Sequence, residues 1–353
     1  MFKQFTIQAP LTAIEAELQQ KIDGKTKPLG ALGELENIAF QLGRIQQTST
    51  PNVSNAKMVV FAADHGVVAQ GISLFPQEVT PQMVMNFLMG GAAVSVFCEQ
   101  HHVPLRVVDV GVNAELDEHP LLGDRKVAFA SKDFSQEAAM SAEQVAQSIQ
   151  AGVDEADLAI DDGANLLMFG EMGIGNTCVS SCMMTALIGV SATDSTGRGT
   201  GLDSAGVSHK AQIIEQSLRR AELATGQVMS EWSAQTLAEQ VGGFEILAMA
   251  GAMLQSAQRQ TAFVVDGFIC SVALLFAQKV VPNVREYAIF AHQSNEKAHK
   301  MLLSHLSAEP ILSLDLRLGE GSGAILAYPL IKSACIFLKN MASFESAGVS
   351  DSK

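Results

Sequence analysis

Six short apolar stretches, most closed by glycine or a polar cluster, constrain this 353-residue chain more than any other feature. They are Met58–Ala62, Leu105–Val110, Leu166–Phe169, Ala262–Val265, Tyr287–Phe290 and Ile311–Leu318. Most are β-rich and nearly continuous rather than alternating, as strands buried on both faces read. Between them lie stretches rich in Ala, Met, Leu, Glu and Gln, such as Ala138–Ala156 and Ala211–Leu223, which read as helices. Strand, loop and helix in alternation predict an α/β fold with a mostly parallel sheet and helices on both faces. Frequent glycine (29) with few aromatics (6%) suits the same architecture, because loops at strand ends need close backbone approach.

In such sheets ligands bind beyond the carboxyl ends of the strands. The clusters that close the stretches are ADHGV, DVGVN, GEMGIGNT, DGFIC, AHQS and GEGSG. They put Asp64, Asp109, Glu171, Asp266, His292 and Glu320 on one rim. The length allows one large domain or two modest ones. Residues 1–50 and 324–345 read as helices, with a Lys/Pro/Gly turn over Lys25–Glu36, and together predict a small helical domain. Residues 51–323 make the large α/β domain, and the polar tail 346–353 is expected to fray.

The net charge of −14 disfavours nucleic acid and anionic membrane surfaces, which need clustered Lys and Arg. It does not forbid a small phosphorylated ligand, since one Lys and a few backbone amides hold one phosphate. The five cysteines form no CxxC and read as buried thiols of a reducing compartment. The first residues lack a charged head followed by an apolar stretch, so no signal peptide is expected. No run of about 18 apolar residues occurs, so no membrane span is expected either. A cytoplasmic location follows as an expectation.

Four constellations carry chemistry. In Arg317–Gly323 (RLGEGSG) one carboxylate, Glu320, stands among three glycines after an expected strand end. Apolar surroundings would raise its pKa and make it a proton acceptor, although a turn with an exposed Glu reads equally well. In Gly170–Thr177 (GEMGIGNT) a glycine-rich loop feeds a helix start, which suits phosphate or a plain tight turn. Its spacing is neither GxGxxG nor a P-loop. Gly197–Asp203 (GRGTGLD), followed by His209 and Lys210, again suits a phosphate or a surface loop. Asp64-His65 precedes Ser73-Leu74-Phe75-Pro76 and Met83. There Asp64 reads as a loop-fixing side chain, and Leu74, Phe75 and Met83 as pocket walls or core. The histidines lack ligand spacing, so no metal is expected, and no GxSxG nucleophile elbow occurs.

Taken in order, ADHGV, ISLFPQEVTPQMV, GEMGIGNT, GRGTGLD with its HK, VGGFE, VVDGFI and RLGEGSGA resemble the nicotinate-nucleotide–dimethylbenzimidazole phosphoribosyltransferase family. The resemblance runs from Lys27 to the helix after Gly323. It implies a Rossmann-like large domain, a small helical domain, a homodimer and a metal-free reaction without cofactor. The family transfers the ribose phosphate of nicotinate mononucleotide to 5,6-dimethylbenzimidazole, giving α-ribazole phosphate for cobamide assembly. Residue by residue, the resemblance makes Glu320 the base and puts Glu171 in the nucleotide site; on chemical grounds, charge developing on the ribose makes Glu171 a candidate for charge stabilisation. The resemblance also places the nucleotide on Gly173, Gly175, Asn176, Thr177, Gly201 and Lys210. The aromatic base falls on Ser73, Leu74, Phe75, Pro76, Met83, Met172, Leu318 and Gly319. Met83 stands where some members carry Gln, which bears on the preferred base.

Two other classes compete. A dinucleotide oxidoreductase needs GxGxxG after the first strand and an acidic residue about 20 residues on, but the first strand here ends in ADHGV. A non-catalytic nucleotide-binding α/β protein would bind without turnover. Within the family, the acceptor could instead be adenine, a phenol or another benzimidazole.

Overall fold

The computed structural model describes residues 3–350. Six parallel strands form one sheet: β1 Ala56–Ala63, β2 Leu105–Gly111, β3 Leu122–Asp124, β4 Leu166–Met172, β5 Ala262–Val265 and β6 Ala288–Phe290. Their spatial order is β3-β2-β1-β4-β5-β6, so the chain reverses its direction of travel between β1 and β4. A crevice opens at such a switch point, beyond the carboxyl ends of the two strands.

Both faces of the sheet are covered. All four residues of β5 and the first six of β4 are buried. Successive side chains point to opposite faces, so unbroken burial means protein on each side. Phe61, Phe169 and Phe263 share one face, with ring centroids 6.4 and 6.0 Å apart across β1, β4 and β5. The helices Phe244–Gln258 and Phe268–Val280 pack on this central part of the sheet, and Ala142–Asp161 packs on the former. These elements bear out the α/β expectation.

Two strand expectations change. Ile311–Leu318 is not a strand and makes only a bridge between Leu312 and His292. Its apolar residues alternate with polar ones, it runs largely exposed beyond β6, and Asp315 takes a left-handed φ of +55°. That turn ends the extended conformation before Glu320. The three-residue β3, which pairs with Val107–Asp109, carries no apolar run that would announce it. In addition, Gly170–Met172 belongs to the end of β4 rather than to the loop after it.

The two ends of the chain meet. Lys25 pairs with Ser343 in an antiparallel bridge, and the helices Glu34–Gln46 and Ser322–Asn340 pack together. Arg44 ties this region inward through Glu15 (2.8 Å) and Glu286 (3.6 Å). The tail expected to fray from 346 begins inside a capped helical turn, Phe344–Ala347, and its last three residues lie outside the described ones.

Among the described residues, Val79–His101 and Ser322–Asn340 are long and apolar enough to cross a membrane, each with mean hydropathy 1.3. This differs from the sequence expectation, which counted only unbroken apolar runs. The first stretch is interrupted at Gly90-Gly91 into Val79–Leu88 and Ala93–His101. Val84, Phe87, Val94 and Cys98 of the first and Ala324, Ile325, Ile331 and Leu338 of the second pack into the core.

Candidate active site

A cavity of about 420 Å³ opens at the switch point. Its floor is the end of β4 and the loop after it. Glu171 is buried at 6% exposure, followed by Met172, Gly173 and Gly175. Gly175, at φ +97°, turns the chain into the helix Asn176–Ile188, which no side chain caps. A helix start left uncapped beside a cavity keeps backbone polarity available for an anion. Asn176 holds Glu171 through a hydrogen bond from its side-chain amide to Oε2.

Lys210 stands behind this floor, in the helix Ser204–Thr225 that Asp203 caps through the amide of Gly206 (2.8 Å). Lys210 is 1% exposed and its Nζ donates to Thr177 Oγ1 at 2.7 Å. Burial lowers its pKa, while Cys178 and Glu296 oppose that fall. Lys210 therefore reaches the cavity through Thr177 rather than lining it.

The opposite wall carries Glu320. It lies at φ +65° between Gly319 (+84°) and Gly321 (+88°), a run of left-handed residues. The main chain around it is close-fitted. A Cβ at Gly170 would run into the Glu320 carbonyl, and one at Gly319 would run into the Glu171 carboxylate. Glu171 Oε1 accepts the amide of Glu320 at 3.3 Å. Asp266, directly after β5, accepts the amides of Gly321 (3.2 Å) and Ala324 (2.8 Å).

Glu320 is buried and its Oε2 has no hydrogen-bond partner in the protein. Burial pushes its pKa up to about 7; the Val94 amide opposes this and the charge of Asp266 adds to it. Glu171 is raised well above the usual range, first by burial and then by Asp266, Glu245 and Glu320. Asp266 is raised by burial against the pull of His292 and the three amides of the Glu320 loop. A carboxylate that titrates near neutrality beside an apolar cavity is suited to accept a proton.

Of the residues singled out from sequence, Ser73, Phe75, Met83, Met172, Gly173, Gly175, Asn176, Thr177, Leu318, Gly319, Glu171 and Glu320 line one cavity. Leu74 and Pro76 do not. Leu74 is 63% exposed and faces Gly201, and Pro76 is exposed too, because the Ser73–Gln77 turn shows the cavity only alternate residues. Gly201 also lies off the wall; its neighbours Gly199 and Thr200 line it, and Thr200 Oγ1 accepts the amide of Leu74 at 3.3 Å. Asp64 and Asp109 are on the rim but face loops. Asp64 accepts the amide of Asn113 (2.9 Å), and Asp109 accepts those of Gly111 and Val112 and pairs with Lys126 (2.8 Å).

Sequence reasoning placed Asp266 and His292 on the rim without giving either a role, and it missed Phe268, Glu296 and Arg317 as wall residues. DGFIC and RLGEG were the available signals for Phe268 and Arg317; Glu296 sits in an unpatterned loop.

Over residues 7–349 the chain matches the family described as phosphoribosyltransferase. It is 48% identical over 347 residues to the nicotinate-nucleotide–dimethylbenzimidazole phosphoribosyltransferase of Aromatoleum aromaticum, which covers 98% of this chain and 99% of that one. Identity to the protein of the same name from Photobacterium profundum is 44% over 345 residues, covering 98% and 99%. The crystal structure of the nicotinate-nucleotide–dimethylbenzimidazole phosphoribosyltransferase of Thermus thermophilus is similar with a TM-score of 0.90 at 39% identity, covering 96% of this chain and 99% of that one.

Proposed function

The chain belongs to the nicotinate-nucleotide–dimethylbenzimidazole phosphoribosyltransferase family, and from that footing we propose that it transfers the 5-phosphoribosyl group of nicotinate mononucleotide to 5,6-dimethylbenzimidazole. The products are nicotinate and α-ribazole 5'-phosphate, a step in cobalamin synthesis. The observation that carries this reading is Glu320: a buried carboxylate with a free oxygen, poised near neutrality on the wall of the cavity.

The chemistry needs what this wall supplies. Nicotinate in its mononucleotide is a pyridinium, so it leaves as a neutral ring nitrogen without protonation. One ring nitrogen of the benzimidazole attacks the anomeric carbon. The other must lose its proton, and Glu320 accepts it. Attack on the face opposite the leaving ring inverts β to α. Positive charge develops on the ribose as the bond breaks, and Glu171 faces it. Burial favours the neutral acid of Glu171, and a cation arriving beside it favours its ionised form. The uncapped helix start at Asn176–Thr177, with Lys210 behind Thr177, takes the phosphate. Met83, Met172, Phe75 and Leu318 give the aromatic ring apolar surface.

We also place the enzyme in the cytoplasm as a homodimer. Five unpaired, buried cysteines support the first. Met85, Met89 and Val96, exposed on the helices Val79–Leu88 and Ala93–His101, support the second.

The test is turnover of nicotinate mononucleotide with 5,6-dimethylbenzimidazole, adenine or a phenol, with and without chelator, in wild type and Glu320→Gln. Products are read by chromatography and mass. Nicotinate plus a benzimidazole riboside phosphate, insensitive to chelator and lost in Glu320→Gln, is the expected result. No product with any acceptor leaves a nucleotide-binding protein as the better account.

A further inference from the structure

Glu320 is held in a backbone conformation that a glutamate does not choose by itself. A residue with a side chain persists at such a φ only where its surroundings over-determine it. Two carboxylates do so here. On the amino-terminal side, Glu171 Oε1 accepts the amide of Glu320 itself at 3.3 Å. On the carboxyl-terminal side, Asp266 Oδ2 accepts the amide of Gly321 at 3.2 Å and Oδ1 that of Ala324 at 2.8 Å. We propose that Asp266 is a positioning residue for the reaction, clamping the main chain just after Glu320 so that the base points into the cavity. The proposal deepens the reading of Glu320 as the base and rests on it.

Asp266 differs from an ordinary helix cap in three ways. It lies 55 residues from Gly321 and 58 from Ala324, directly after β5, so the sheet itself anchors the loop. The helix Ser322–Asn340 has no side-chain cap of its own, which leaves Asp266 as the acceptor for its first turn. Asp266 also lines the same cavity as Glu320, so its charge acts on the base as well as its geometry. The fit is close: a side chain at Gly323 would run into both His292 and Asp266.

The ionisable groups around the base come from every element of the wall. Glu171 faces it from β4, with Glu245 acting on Glu171 in turn. Asp266 faces it from the end of β5, and His292 Nε2 lies 3.8 Å from Asp266 Oδ1. Glu296 and Arg317 complete the cavity, and the amide of Val94 opposes the rise in the base's pKa. Asp266→Asn keeps the shape, loses the charge, and offers one acceptor oxygen where the carboxylate offers two. The base should then titrate lower and be held less well.

The experiment measures kcat and KM across the neutral pH range for wild type, Asp266→Asn and Asp266→Glu, with nicotinate mononucleotide affinity by calorimetry and melting temperature alongside. In Asp266→Asn, the acidic limb of kcat/KM moves to lower pH and kcat falls about 10- to 100-fold, as expected for a general base held out of line. Nucleotide affinity stays near the wild-type value. A fall in kcat and melting temperature with the limb unmoved assigns Asp266 a structural role only and overturns the proposal. Asp266→Glu keeps the charge but displaces it from the two amides, so the limb stays and kcat falls. Full kcat in that variant overturns the positioning role even if Asp266→Asn does not fold. Wild-type turnover undiminished by Glu320→Gln refutes the base reading itself and this role with it.

Discussion

Glu171 accepts the main-chain N–H of Glu320 at 3.3 Å, which ties the two buried residues together, and Glu320 in turn acts on the ionisation of Glu171. Glu171 is the more enclosed, with its other oxygen engaged by Asn176, and burial drives it strongly towards the neutral acid. Glu320 keeps one oxygen without a partner and titrates at about 7. Two carboxyl groups in one cavity, one with both oxygens engaged and one with an oxygen left without a partner, can take different roles.

Turnover should follow the ionisation of Glu320. The base works when deprotonated, so kcat/KM rises with pH through a midpoint of about 7 and flattens above it. Below the midpoint the rate falls about tenfold per pH unit. Steady-state rates in a series of buffers at constant ionic strength check this. A midpoint in the ordinary carboxylate range would remove the burial argument for Glu320.

The same shift carries a stability cost. Glu320 has a higher pKa folded than its ordinary 4.5, so between 4.5 and about 7 the folded state binds more protons than the unfolded. Stability therefore falls as pH rises through that window and is level above it. At roughly 1.4 kcal/mol per pKa unit, the cost above neutrality is about 3 kcal/mol. Glu320→Gln should abolish turnover yet gain up to that amount at about pH 8, with little gain at about pH 4. Urea unfolding at both pH values decides it; an equal change at both would show that the effect is not ionisation.

The parts of this site legible in sequence are those with local patterns. Continuous apolar runs marked β1, β2, β4, β5 and β6, because strands buried on both faces have no polar alternation to hide them. RLGEG singled out Glu320 because glycines on either side let the main chain and a ligand come close to its carboxylate, although an exposed turn read equally well. The strand expected before it was wrong because an edge segment alternates like a strand, and only Asp315's left-handed turn breaks it. Strand β3 is three residues long and left no trace. Asp266 and His292 were visible as rim residues, but their relation to the Glu320 loop spans more than 20 residues of chain and exists only in the fold. Glu296 belongs to the same class.

Lys210 should govern nucleotide affinity. Its ammonium is buried with Thr177 as its hydrogen-bond partner, a costly arrangement that an arriving phosphate would relieve. Lys210→Met preserves the stem and removes the charge. Stability should be unchanged or higher, because a desolvated cation is gone. KM for nicotinate mononucleotide should rise about 10- to 100-fold, the loss of one charge-assisted hydrogen bond, with kcat within a few-fold. An unchanged KM would move the phosphate elsewhere.

His65 and Glu245 should support the Gly173–Gly175 loop from beneath. His65 Nε2 lies 3.0 Å from Glu245 Oε1, both side chains are fully buried, and a side chain at Gly173 would meet the imidazole. Burial alone would lower the pKa of His65, but the charge and hydrogen bond of Glu245 raise it above 6.5. Replacing either partner by Ala leaves a buried charge unpaired and should cost about 3–5 kcal/mol. The sign with pH is fixed by the raised value. The pair's contribution is complete below 6.5 and is lost as pH rises through the folded-state value, so the gap between wild type and His65→Ala should narrow in alkaline buffer. Replacing both residues by Leu should recover part of the loss, since neither charge is then buried. Urea melts of the three variants at acidic and alkaline pH measure all of this. A gap that does not change with pH would mean that His65 is neutral in the folded protein and acts by packing alone.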